Sequence, residues 1–138
     1  MRNAPSQMMR MHEKDIPMGG MNMALMEDCI EALSACEQAC TMCAATMTGE
    51  GMETCMNLCQ NTADMTHAMM RMMMRPAGMH LESMLASLQA TMTLCAACAD
   101  ECMSHSDMHE DCAICAEVCR QCAMACQKMM DSMSAPMS

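Results

Sequence analysis

The stretch CAICAEVCRQCAMAC, residues 112–126, carries Cys112, Cys115, Cys119, Cys122 and Cys126 at steps of 3, 4, 3 and 4. That spacing places all five thiols on one face of a helix. CxxC pairs stand at Cys40/Cys43, Cys95/Cys98, Cys112/Cys115 and Cys119/Cys122. A thiol becomes a nucleophile, a redox group or a soft metal ligand once it loses its proton. The pattern therefore admits disulfides, thiol–disulfide exchange or metal binding.

Spacing and context separate these chemistries. Helical neighbours at i+3 and i+4 hold their Cβ atoms about 5–6 Å apart, whereas a disulfide wants about 3.5–4.5 Å, so staples within one helix are disfavoured. Bridges between helices remain open, but disulfide scaffolds are characteristically small and loop-rich. Redox CxxC motifs sit at a helix start after a strand, where the dipole lowers one thiol's pKa; these pairs lie mid-helix. Structural zinc and iron–sulfur clusters take discrete, closed ligand sets, and this cysteine track is continuous. Plain packing explains it poorly, because Leu and Val fill the same space more rigidly. Thiolate and thioether ligands select Cu(I). Its low coordination numbers suit ligand pairs along and between helices, and one thiolate can bridge two ions. A core of buried thiolates is prohibitive without metal. It is neutral with one Cu⁺ per thiolate, and neutral again when empty and protonated.

The elements that must carry these residues follow from the punctuation. Pro17 with Gly19 and Gly20, TGEG (48–51), RPAG (75–78), SHSD (104–107) and Pro136 are breaks. Between them lie four segments, 22–47, 52–74, 79–103 and 108–133, each roughly 35–39 Å long if helical. Asp107 with Glu110 reads as a capping box at the start of the last segment. Each segment has one seam in strict 3-4 steps. The first runs Met26, Cys29, Leu33, Cys36, Cys40, Cys43, Met47, and the second Met52, Cys55, Cys59, Thr62, Thr66, Met69, Met73. The third runs Leu81, Met84, Leu88, Thr91, Cys95, Cys98, Cys102, and the fourth Cys112, Cys115, Cys119, Cys122, Cys126, Met129, Met133. All 14 cysteines fall on these seams. Such seams with short connections predict an all-α, antiparallel up-down-up-down four-helix bundle with a Cys-lined core. The predicted organisation is a Met-rich N-terminal arm (1–21), the bundle (22–133) and a short tail (134–138).

In that topology the TGEG and SHSD turns share one end, and cysteine is dense there. The predicted layers are Cys43/Cys55/Cys102/Cys112, then Cys40/Cys59/Cys98/Cys115, then Cys36/Cys95/Cys119 with Thr62. Cys122 and the pair Cys29/Cys126 lie deeper. The two turns bring Met47, Met52, Met103, His105, Met108 and His109 beside the first layer, and these soft or borderline ligands form a candidate mouth. The opposite end, with Leu81, Met84, Leu88, Met69, Met73, Met129 and Met133, reads as an apolar plug. MMRMH (8–12) is either a disordered or loosely docked tail or a soft-metal capture arm.

Composition supports the same picture. The 138 residues hold 28 Met and no Phe, Trp or Tyr, and the formal charge is −10. Acidity without a basic patch argues against nucleic acid. No run of 18 apolar residues is present to span a membrane, and the N-terminus lacks a secretory h-region. A cytoplasmic protein is expected, or an exported one with its signal removed. His67 and His80 stand alone, and no Ser/His/Asp or paired-carboxylate constellation points to an enzyme.

ACEQACTMC (35–43) and CAICAEVCRQCAMACQKM (112–129) resemble the bacterial four-helix-bundle copper storage proteins, and the likeness extends over roughly 22–133. The resemblance implies many Cu(I) ions held along the core and a homo-oligomer, often a tetramer in the family. It carries over as ligands Cys29, Cys36, Cys40, Cys43, Cys55, Cys59, Cys95, Cys98, Cys102, Cys112, Cys115, Cys119, Cys122 and Cys126. The competing readings are a copper chaperone, which would hold one or two ions, and a general sequestering protein for soft metals such as zinc or silver.

Overall fold

The computed structural model describes residues 4–15, 22–47 and 49–134. The break at Pro17, Gly19 and Gly20, the turn residue Thr48 and the tail residues 135–138, Pro136 among them, lie outside the described residues. Among the described residues there is no strand; five α-helices run α1 Ala4–Met11, α2 Met23–Thr46, α3 Glu53–Met73, α4 Leu81–Met103 and α5 Glu110–Ser134, with a 3-10 turn over Glu13–Asp15.

Local chemistry sets the helix starts. The Asn22 side chain accepts from the Ala24 and Leu25 amides at 2.8 and 3.4 Å, capping α2. His80 caps α4, its Nδ1 accepting from the Ser83 amide at 3.3 Å. Glu53 opens α3, and Glu110 and Asp111 open α5, where acidic side chains complement the helix dipole. The capping box expected at Asp107 is corrected. The chain leaving α4 continues in i→i+3 turns, His105 to Cys102, Ser106 to Met103 and Met108 to His105, so α5 begins only at Glu110. Gly78 takes φ +73° in the α3–α4 turn, a conformation L side chains rarely adopt.

The four long helices form a ring of contacts: α2 packs on α3 and α5, and α4 packs on the same two. Sulfur pairs give the relative direction of neighbouring helices. Cys36 and Cys40 of α2 face Cys119 and Cys115 of α5, each at 3.7 Å. Cys55 and Cys59 of α3 face Cys102 and Cys98 of α4 at 3.9 and 3.7 Å. In both pairs the numbering rises on one helix as it falls on the other, so the neighbours run antiparallel. Cys36 and Cys40 face Cys95 and Cys98 in parallel order across the core, at 3.9 Å each.

The core is divided along its length. One half is cysteine; the other is Met26, Leu33, Met69, Met73, Leu88 and Met129, all fully buried. Buried threonines stand between, with their hydroxyls satisfied by backbone carbonyls: Thr62 on Leu94 at 3.4 Å, Thr66 on Thr62 at 2.8 Å and Thr91 on Ser87 at 2.8 Å. Two expectations need correction. Leu81, assigned to the seam, is 39% exposed; it is the first residue of α4, and burial begins a turn later at Met84. The N-terminal arm is neither formless nor loose over its described part. It forms α1, buries Met9, and sets Arg10 in an ion pair with the fully buried carboxylate of Glu27 on α2.

Candidate metal centre

All 14 cysteines are free and buried. Every one lies on the inner face that its 3-4 spacing requires, so the helices deliver a column of thiols to a single core. Four sets of sulfurs converge with all members within 4.8 Å of one another. They are Cys43/Cys55/Cys59/Cys102, Cys59/Cys98/Cys102/Cys115, Cys40/Cys98/Cys115/Cys119 and Cys36/Cys95/Cys122.

These sets differ from the predicted layers in an informative way. Cys59 replaces Cys112 in the first, Cys119 replaces Cys59 in the layer of Cys40, and Cys122 replaces Cys119 beside Cys36 and Cys95. The helices are staggered, so a sulfur lies between two layers rather than in one. Cys40, for example, is 3.7 Å from Cys115 and 3.5 Å from Cys119. As a result Cys59, Cys98, Cys102 and Cys115 each belong to two sets. An isolated structural zinc site takes its own closed set of four ligands, whereas a sulfur shared between sets can bridge soft ions at successive heights.

Three cysteines stand outside the four sets. Cys29 and Cys126 stand together at the deep end, where each shifts the other's pKa. Cys112, at the other end, places its Sγ 3.4 Å from the Met47 Sδ. Met47 thus continues the thiol column as a thioether, at the 3-4 step from Cys43 that places it on the first seam. Of the other mouth candidates, Met52 is buried, His105 and His109 are half-buried, and Met103 and Met108 are exposed. His105 Nε2 lies 2.8 Å from the Glu101 carboxylate one turn back. His67 pairs with Glu37 at 2.9 Å on the outer surface, away from the thiols.

Proton sharing differentiates the thiols. The sulfur contact with Cys119, then those with Cys122 and Cys40, lowers Cys36, and the contacts with Cys122 and Cys29 lower Cys126. Their partners Cys122 and Cys29 are pushed up by the same contacts with Cys126, because the donor of an S–H···S bond keeps its proton. Burial is the largest cause at Cys55 and Cys112 and pushes both up from 9.0 to about 12. In the unfolded chain these two thiols ionise near 9.0, while in the fold they hold their protons. Their contribution to stability is complete below that pH and is lost as pH rises toward 12. Through Cys55 and Cys112, the unfolding midpoint of reduced, metal-free protein should fall as pH rises from about 9 toward 12. A midpoint that stays constant or rises across that range would contradict buried protonated thiols.

A family model described as copper storage protein, Csp, matches residues 22–131. The copper storage protein Ccsp of Streptomyces lividans, solved with 10 copper equivalents, superposes with a TM-score of 0.87 at 36% identity, covering 94% of this chain and 99% of that one. A second structure, of copper loading to a cytosolic copper storage protein of Streptomyces lividans with five coppers, has a TM-score of 0.75 at 40% identity. It covers 78% of this chain and 92% of that one. No curated protein sequence matches the chain.

Proposed function

The chain belongs to the copper storage protein family, and from that premise we propose that it stores many Cu(I) ions as a cytoplasmic, non-catalytic copper reservoir. The ions lie inside an up-down-up-down bundle formed by residues 22–133, with residues 1–21 as an appended arm and 134–138 as a tail. The ligands are the 14 core thiolates. The observation that carries this reading is the sharing of Cys59, Cys98, Cys102 and Cys115 between converging thiol sets. Shared sulfurs let ions sit at successive heights without an unpaired charge between them, since each Cu⁺ displaces a thiol proton. The ten-copper relative is consistent with the same capacity for multiple ions. A tetramer is the proposed assembly, by likeness to the family.

Titration of reduced protein with Cu(I) against a competing chelator, with copper read by elemental analysis, tests the proposal. Several ions per chain are expected. About one ion per chain would make the protein a delivery chaperone, and preferential retention of zinc over copper would make it a general sequestering protein.

The proposed mouth lies at the end holding Met47, Met52, Met103, His105, Met108 and His109. Exposed Met103 and Met108 meet the ion first, and buried Met47 passes it to Cys112. A thioether binds Cu(I) without losing a proton and so releases it more readily than a thiolate does. Replacing all six with Ala or Ser should slow Cu(I) uptake in stopped-flow mixing and leave the final copper content nearly unchanged. Unchanged uptake there, with slow uptake on replacing Met69, Met73, Met129 and Met133, would move the mouth to the other end.

A further inference from the structure

At the end of the bundle away from the proposed mouth, residues of α1 and of the C-terminal end of α3 line a cavity of about 400 Å³ that is open to solvent on one side. Its lining includes Met8, Met9 and His12 from the arm and Met74 from the end of α3. Met8 and His12 are four residues apart, so they share one face of the arm. Met9 is buried, whereas Met8 is 63% and Met74 46% exposed. Two long thioethers are therefore left at the rim of a cavity instead of being packed away.

We propose that this cavity is a second soft-metal site, separate from the thiol core, in which Met8, Met9 and Met74 with His12 bind one Cu(I). Three thioether sulfurs and one imidazole are neutral, soft or borderline donors and form a ligand set that selects Cu(I) over zinc. Flexible, unbranched methionine side chains can close on an ion from two chain segments without backbone movement. The arm is already held at the cavity by the Arg10–Glu27 ion pair and by Met9. A buried carboxylate is costly unless paired, so this docking is specific rather than a loose contact. Arg75 also lines the cavity but is exposed, where solvent screens its charge. With no thiolate, the site binds more weakly than the core and fills after it. Its loading releases no proton from a thioether.

The experiment uses the full chain with methyl-labelled methionine, first loaded with Cu(I) until the thiol core is saturated. Further Cu(I) is then added anaerobically while the methionine methyl resonances are followed. The methyls of Met8, Met9 and Met74 should shift together as one additional ion binds. Met8→Leu with Met74→Leu, both at exposed positions where the fold does not depend on them, should abolish that ion and leave the core copper unchanged. The proposal is overturned if saturated protein binds no additional ion, if the additional ion binds the double variant equally well, or if it shifts only methyls at the mouth. A failure of the thiol core itself would show separately, as missing copper before this step.

Discussion

Replacing Cys59, Cys98, Cys102 and Cys115 together with Ala should remove far more copper than replacing Cys29, Cys55, Cys112 and Cys126. Both variants delete four thiols, and all eight residues are buried, so the packing loss is matched. Their connectivity differs. The first four each serve two converging sets, and removing them empties one set and leaves two others with two sulfurs each. The second four touch a single set, through Cys55. If copper is held by bridging thiolates, the first variant loses the middle of the column and the second only its margins. Copper per folded chain, measured after gel filtration against a competing chelator, decides the matter. Equal losses would mean that each thiol acts independently and that sharing has no role. Extending the change to all 14 cysteines should leave at most weak binding by Met and His; full copper content at equal affinity in that variant would eliminate the thiol core as the store.

The metal-free, reduced protein should already be folded, and copper should raise its thermal stability steeply while barely changing its helicity. The empty core consists of Met, Leu, satisfied Thr and thiols, which pack as an apolar interior without metal. This differs from a zinc finger, whose folding free energy is its metal binding. Each Cu(I) held at about a thousandfold over its dissociation constant adds roughly 4 kcal/mol, reduced by whatever the unfolded thiols bind. Since about 1 kcal/mol moves the midpoint of a domain this size by roughly 4 °C, a net gain equal to one such ion shifts it by roughly 15 °C. Far-ultraviolet circular dichroism at room temperature, followed by thermal scans with and without copper, reads both quantities. A random-coil spectrum for the empty protein would overturn the first expectation, and an unmoved midpoint the second.

The sequence by itself determined which side chains face inward. The 3-4 recurrence from Met26 to Met47 and from Cys112 to Met133 is a local property of the α-helix, set by 3.6 residues per turn, and every cysteine on it is buried. It also determined the chemistry available there, since thiol and thioether are intrinsic to residue type. It read least well where an element ends or where two elements meet. Leu81 kept the period but fell on the first residue of α4, where it stays exposed. Asp107 matched a capping pattern, yet the turns after α4 carried the helix start on to Glu110. The arm's helix was hidden because its anchor, Arg10 on Glu27, joins residues from different helices. Only the tertiary structure decided which sulfurs converge. Spacing along one helix fixes a thiol's direction but not its height relative to the neighbouring helices. That height comes from the stagger at which side chains of separate helices interdigitate, which places Cys119 beside Cys40 and leaves Cys112 against Met47.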